Sequence, residues 1–311
     1  MPTFYIKTGE RTFTNEMVKR LTQRGWKKSS TMPVDFIFLL GEASYYKNKF
    51  DTKRSGMVSI LWGDSYARIT NKAVLNEIFK DESFIPYADA IRKGEEMPEL
   101  PNRFLKILKP VRGWSGSGIR VVSNKSQLLE WISEHPEHKE WTLQDYIRNP
   151  ALIDGYKFHL RMHAIVFNKP YKVYLQNTGR YVPAKKLYIK EDWTNPDIHD
   201  THVASRGDDY QNQFFPEVLP DGWTTRIATR AMHGIQDAVH KIFTKEHDFK
   251  ADWNGKNGFY MFGIDVMFDK TSPIILEVNK DPTDERANFI IEPLLSIVID
   301  EKDDPLFTRL I

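Results

Sequence analysis

No cysteine occurs among the 311 residues. That absence excludes disulfides, thiolate chemistry and cysteine-ligated zinc. Long apolar runs are also missing. The longest, Phe36 to Leu40 and Ile290 to Val298, fall well short of the roughly 20 residues a membrane span needs. They have the length of core strands or helices. Met1 to Gly9 shows no basic region followed by an apolar one, so no secretory signal is read there. Charge of one sign does not dominate. Lys plus Arg number 44 against 42 Asp plus Glu, whereas a dedicated nucleic-acid binder is usually clearly basic. Local basic groups, such as Lys47, Lys49, Lys53 and Arg54, or Lys185 and Lys186, read as solvated faces. With 41% hydrophobic and 28% charged residues, the composition is that of a globular domain. The expectation is a cytoplasmic monomer with neither a membrane nor a nucleic acid as partner.

No internal repeat marks the chain, so its organisation rests on periodicity and punctuation. Thr14 is the expected cap of a helix carrying Met17, Val18 and Leu21 and ending at Gly25. Asp35 to Leu40 and Met57 to Leu61 read as buried strands, with Gly41 and Gly63 as breaks. A small α/β lobe over 1–66 follows. Thr70 is the expected cap of a second helix, with Val74, Leu75, Ile78 and Phe79 at helical spacing. Arg103 to Leu108, Ile119 to Val122 and Trp141 to Ile147 read as strands and Ser126 to Ser133 as a helix, which makes a central lobe over 67–150. In the remainder, 151–311, Lys157 to Phe167 and Tyr171 to Leu175 form a hairpin turning at Asn168-Lys169-Pro170. A long polar stretch from Asn177 to Trp223 has the character of a functional or mobile loop. An amphipathic helix through Ala228, Ile235 and Phe243 follows, then paired strands Tyr260 to Phe268 and Pro273 to Val278, and a last helix over 285–299.

Three constellations carry chemistry. Lys109-Pro110 leads into a turn containing Gly113, Gly116 and Gly118, where backbone amides can approach an anion. It is neither a Walker loop nor a Rossmann fingerprint, and by itself it is equally a plain strand-to-strand turn. Second, polar and apolar residues alternate over 157–163. On a strand, Lys157, His159, Arg161 and His163 share one face while Phe158, Leu160 and Met162 share the other. An exposed outer face gives the same alternation; a row of phosphate and carboxylate ligands is the alternative. Third, Asp265 lies inside an apolar strand, and Glu277 and Asn279 stand two apart on the next. Acids in buried strands are unfavourable unless paired or coordinating a metal. This hard-oxygen set suits Mg²⁺, which takes one or two carboxylates and completes its shell with phosphate and water. No His-Arg-Asp-x₄-Asn loop is present, which argues against a protein kinase.

These motifs, with Gln144-Asp145-Tyr146-Ile147, Asn149-Pro150-Ala151-Leu152, Lys157-x-His-Leu-Arg161 and Glu277-Val-Asn279, resemble the ordered motifs of the tubulin tyrosine ligase-like family. The resemblance runs from about Lys72 to Pro282. It implies an ATP-grasp fold of α/β (α+β) class, with ATP between the central and C-terminal lobes. Lys72, Lys109 and Lys157 would contact phosphates, and 144–147 would form the hinge beside adenine. Arg161 would stabilise the transferring phosphate or bind the amino acid. Asp265, Glu277 and Asn279 would hold Mg²⁺. Two positions depart from the family pattern. His159 stands where the family has an aspartate. The family's His-Leu-Thr-Asn is met by His202-Val203-Ala204-Ser205, so Ser205 replaces the asparagine. Arg180 is aligned with an arginine that follows the hairpin.

The implied activity is a two-step ligation that joins a free amino acid to a protein or peptide carboxylate, tubulin being one candidate acceptor. Two alternatives stay open: a small-molecule carboxylate–amine ligase, and a catalytically silent nucleotide-binding module.

Overall fold

The computed structural model describes residues 1–6, 12–42, 56–61, 65–111, 118–201, 213–245, 258–280, 282 and 285–311. The chain begins with β1 (Thr3–Ile6), α1 (Thr12–Gln23), β2 (Lys27–Lys28), β3 (Phe36–Glu42) and β4 (Met57–Leu61). Helix α1 buries Phe13, Met17 and Leu21 at four-residue spacing, the stripe that a 3.6-residue period places on one face. Thr14 is not its cap. The stripe starts at Phe13, so the helix must begin earlier, and Thr14 is buried inside it. Gly25 takes a φ of +81°, and Gly25 and Trp26 donate back to the carbonyls of Thr22 and Leu21 at 3.0 Å each. This is a Schellman ending.

Helices α2 (Ser65–Thr70) and α3 (Lys72–Ile78) meet at Asn71. Asn71, not Thr70, caps α3: its Oδ1 accepts from Ala73 N (3.0 Å) and Val74 N (3.3 Å), while Thr70 closes α2. Lys72 thereby becomes the first residue of α3. A cation there opposes the helix dipole, so it needs an acidic partner.

The middle of the chain forms a separate four-stranded antiparallel sheet in the order β5-β8-β6-β7. Its strands are β5 (Ala88–Arg92), β6 (Lys106–Pro110), β7 (Arg120–Val122) and β8 (Glu140–Asp145), with helix α4 (Lys125–Glu134) between the last two. Strand β5 is absent from the sequence expectation, because Ala-Asp-Ala-Ile-Arg has one β-branched residue and no clean alternation.

The remaining strands are β9 (Leu152–Ile153), β10 (Tyr156–Asn168), β11 (Tyr171–Gln176), β12 (Gly179–Pro183), β13 (Phe214–Phe215), β14 (Gly258–Asp269), β15 (Ser272–Asn279) and β16 (Phe307–Arg309). The intervening helices are α5 (Pro196–His199), α6 (Thr225–Lys245) and α7 (Ile291–Val298), the last preceded by a 3-10 turn over Glu285–Ile290. Strand β14 pairs antiparallel with β10 and β15 and parallel with β4. The first four strands thus extend the same sheet, which has twelve strands among the described residues. The whole is a mixed α/β arrangement with parallel and antiparallel pairing, as the α+β class implies.

One face of the large sheet is covered by α6, which buries Ala228, Ala231, Ile235, Val239, Ile242 and Phe243 against Phe158, Leu160, Met162 and Val266. The other is covered in part by α1 and α7 through Met17, Leu21, Leu294 and Leu295. Full burial of each Val, Leu, Ile, Phe or Met side chain among these contributes roughly 1.5–3 kcal/mol. The part of that second face left between β10, β14 and the small sheet holds the polar residues considered next. The stretch 177–223, expected to be one loop, instead supplies β12, α5 and β13 within its described parts.

Candidate active site

Strand β10 carries the site because its two faces have different fates. Phe158, Leu160 and Met162 enter the α6 core. Lys157, His159 and His163 on the opposite face are 3%, 1% and 3% exposed, so this is not a solvated outer face. A buried cationic row must find oxygen partners. The β10–β14 register sets Arg161 directly opposite Asp265, and Arg161 donates from Nε and Nη2 to the two Asp265 oxygens. The β14–β15 register sets Asp265 opposite Glu277. Asn279 Nδ2 bridges the pair, donating to Asp265 at 3.1 Å and to Glu277 at 2.9 Å. Lys72, at the start of α3, completes the row with Nζ 2.9 Å from Glu277. His159 Nε2 stands 3.9 Å from Asp265, and its Nδ1 hydrogen-bonds Thr201 Oγ1 at 2.7 Å.

The expected trio therefore meets, and a register shift between Asp265 and Val266 shapes it. Val266 pairs with Ile275, which leaves Leu276 as the extra residue of a bulge. Bulges re-aim side chains beside functional sites; here Leu276 joins Met267 in a pocket wall next to Glu277. As a donor set, two facing carboxylates and one carboxamide match what Mg²⁺ takes from a protein, provided phosphate and water supply the rest. Asp265, Glu277 and Asn279 are the residues that could hold it. Among the described residues no cluster of three or more His, Asp or Glu forms an all-protein metal cage.

A pocket opens beside this cluster, between the small sheet and β10, β14 and β15. Ile107, Ile119, Ile147, Met267 and Leu276 form its apolar walls, and Gln144, Asp145, Tyr146, Lys109 and Lys157 also line it. That lining, apolar walls with two lysines among them, suits a small organic ligand with a charged end. Burial pushes the Lys109 ammonium down to about 8, opposed by nearby Glu277. Burial, with the like charge of Lys109, pushes Lys157 down to about 7. An anion placed beside these two lysines would favour their charged forms.

Behind Lys157 runs a hydrogen-bond chain whose direction is determined. His199 Nε2 lies 2.6 Å from the Asp192 carbonyl, which can only accept, so Nε2 carries the proton. Burial lowers His199 to about 4, so its ring is neutral and Nδ1 is an acceptor. Tyr146 must donate its hydroxyl proton to Nδ1 (2.8 Å), and its oxygen accepts from Lys157 Nζ (3.1 Å). Lys157 also lies 4.3 Å from the centre of the Tyr146 ring.

The profile of the tubulin-tyrosine ligase family matches residues 55–302, most of the chain. The chain belongs to the tubulin-tyrosine ligase family. It is 24% identical over 212 residues to the probable tubulin polyglutamylase ttll-9 of Caenorhabditis elegans, covering 61% of this chain and 48% of that protein. It is 24% identical over 276 residues to the tubulin polyglutamylase TTLL7 of Homo sapiens, covering 76% of this chain and 30% of that one. A probable tubulin–tyrosine ligase of Schizosaccharomyces pombe is 28% identical over 183 residues, 54% of this chain and 43% of its own. The chain thus spans about half or less of the length of these curated relatives.

Most family-motif residues converge here: Lys72, Lys109, Gln144 to Ile147, Lys157, His159, Arg161, Asp265, Glu277 and Asn279. Asp145 stands at the pocket edge, 2.8 Å from Lys106 Nζ. Gly118 takes a φ of +78°, which favours glycine. Gly113, Gly116 and Ser205, with 202–205 as a whole, lie outside the described residues. Arg180 pairs directly with Arg161 across β10 and β12 and is buried; the site face thus holds two guanidinium residues. His199, Asp200 and Thr201 were not singled out from the sequence. The Asn195-Pro196 pair was the available signal. An Asn cap before a Pro marks a helix start, and Asn195 Oδ1 indeed accepts from Asp197 N at 3.1 Å.

Proposed function

We propose that the chain is an ATP-dependent carboxylate–amine ligase that attaches an amino acid to a protein carboxylate. ATP would lie between the 67–150 and 151–311 lobes of an ATP-grasp fold, with the 1–66 lobe alongside. One observation carries the reading: an apolar slot is lined by two buried lysines with depressed pKa values, beside a carboxylate pair balanced by Arg161 and Lys72. Family membership and the names of the relatives, tubulin polyglutamylases among them, support the reaction class.

In this reading Gln144 to Ile147 line the base and Lys109 and Lys157 hold the phosphates. Arg161, with Arg180 beside it, stabilises the charge that develops on the transferred phosphoryl group. The acceptor carboxylate oxygen attacks the γ-phosphorus and ADP leaves. The amine then attacks the acyl carbon, inorganic phosphate leaves, and the amine gives up a proton. Magnesium bound by Asp265, Glu277 and Asn279 would neutralise phosphate charge. Lys72 holds Glu277, and His159, anchored by Thr201, adjoins Asp265 where the family carries a second acid.

The test is incubation with ATP, Mg²⁺ and pooled labelled amino acids, with and without tubulin, followed by mass spectrometry and ADP measurement. The expected result is an amino acid on a protein carboxylate and ADP release that drops about 100-fold or more in Glu277→Gln. Amide product on free amino acids alone would move the assignment to a small-molecule ligase. Nucleotide binding without turnover would leave a silent module.

A further inference from the structure

Arg161 stands in a row that crosses five strands of the large sheet. Its register partners are Arg180 on β12 and Asp265 on β14; Arg180 in turn pairs with Phe214 on β13, and Asp265 with Glu277 on β15. Directly paired residues share a face of a sheet. The site face therefore reads Phe214, Arg180, Arg161, Asp265, Glu277. The residues one step along the strands, Phe215, Tyr181 and Leu160, enter the opposite, α6-covered core. Glu277 closes one end of the row beside Lys72. Phe214 forms the other end, because β13 is the outermost strand on that side among the described residues.

This aromatic end stays open. Phe289 packs its ring edge-on against Phe214, with centroids 5.0 Å apart, and is still 39% exposed. It belongs to the 3-10 turn Glu285–Ile290. Three residues per turn set Ala287 and Ile290 on one side, where both are buried among residues of α1 and α7. Phe289 is thereby turned away from that core. The chain that leaves β15 after Asn279 thus brings a ring to the far end of the row. Strand β13 is held as well: Val218 N donates to Phe214 O and Tyr181 Oη to Val218 O, each at 2.8 Å. A ring pair fixed in this way is a preformed apolar wall.

Adjacent strands lie about 4.8 Å apart, so the backbones of Arg180 and Phe214 are separated by about the reach from an α-carboxylate to its own side chain. A guanidinium takes a carboxylate in the planar geometry it uses for phosphate. We propose that the Phe214/Phe289 pair selects the amino acid to be joined, and that this amino acid has a bulky apolar side chain, its α-carboxylate lying toward Arg180. The assignment rests on the ligase reading above. An acidic side chain against two rings would lose hydration without a hydrogen bond in return, and glycine would leave the wall uncovered.

The test is isothermal titration of phenylalanine, leucine, glutamate and glycine into the full chain saturated with Mg²⁺ and a non-hydrolysable ATP analogue. Phenylalanine and leucine should bind about tenfold or more tightly than glutamate and glycine. Phe289→Ala should weaken both apolar ligands about tenfold while its affinities for glycine and the analogue stay within about twofold of wild type. Phe289→Leu should keep most of the preference. Leu129→Ala, which removes another half-exposed apolar side chain on α4, should change nothing. Because Phe289 is partly exposed, its variants should melt near the wild-type temperature; Phe214→Ala is the second variant and should act in the same direction. Tightest binding by glutamate or glycine, an unchanged preference in Phe289→Ala, or an equal loss in Leu129→Ala would each overturn the assignment and leave the ligase reading standing. A chain that binds the analogue but none of the amino acids tested, apolar, acidic or small, would overturn both.

Discussion

Nucleotide binding should take up protons, and the amount follows from the two buried lysines. In the nucleotide-free protein Lys157 is pushed down to about 7 and Lys109 to about 8, both chiefly by burial. At pH 8 Lys157 is then about one-tenth charged and Lys109 about half. A triphosphate in the pocket favours the ammonium forms, so binding at pH 8 should take up about 1.4 protons. The sign follows from linkage: the bound state holds more protons, so affinity falls as pH rises through 7 and 8. Charging both lysines becomes harder by about 3–4 kcal/mol between pH 7 and 9, an upper figure if both stay charged in the complex. Isothermal titration in buffers of different ionisation enthalpy gives the proton number directly. In Lys157→Arg, whose guanidinium is permanently charged, the uptake at pH 8 should fall to about 0.5 protons. A wild-type value near zero at pH 8, or an undiminished value in the arginine variant, would refute the reasoning.

Three further outcomes follow from the same geometry. Lys157→Met should stabilise the nucleotide-free protein at pH 7 by about 2 kcal/mol while abolishing nucleotide binding. The folded state holds fewer Lys157 protons than the unfolded one between about pH 7 and 10.5, so the gain should shrink as pH rises across that window; differential melts at several pH values check it. In Gly263→Ala a new Cβ would meet Pro282 Cβ at 2.8 Å and Asn279 Cβ at 3.4 Å. The expected cost is about 1–3 kcal/mol of stability, with a loss of ADP release larger than the melt alone explains. His199→Phe removes the acceptor that orients Tyr146 and should weaken nucleotide binding about tenfold, whereas His199→Asn, which keeps an acceptor near Nδ1, should restore most of it; equal affinities in the two variants would separate His199 from the site.

Sequence legibility ended where partners lie far apart along the chain. Glu277 and Asn279 could be grouped because a strand repeats every two residues, and Asp265 joined them through one short hairpin. The alternation over 157–163 named a row but left open whether it was a wet surface. Its partner strand begins at Gly258, about 90 residues on, and only that pairing buries the row and sets Arg161 against Asp265. Helix existence was readable from apolar spacing, while neither expected cap held: Thr70 stands one residue before the cap of α3, and Thr14 lies inside α1. Thr14 and Thr70 are good capping types, but a stripe beginning at Phe13 and the carboxamide of Asn71 decided the boundaries. The bulge at Leu276 left no signal, since an apolar residue there fits either register.

By itself the sequence determined the family, the helical stripes, the hairpins and the residue types that a nucleotide site requires, because these depend on local period and motif order. Tertiary structure alone decided three things. Strands β1 to β4 join the large sheet through β14, since parallel pairing of distant segments has no local code. Lys109 and Lys157 become buried, which is what depresses their pKa values. His199 is placed behind Tyr146, because only the packing of α5 against β10 brings an otherwise unremarked imidazole to the lysine that faces the pocket.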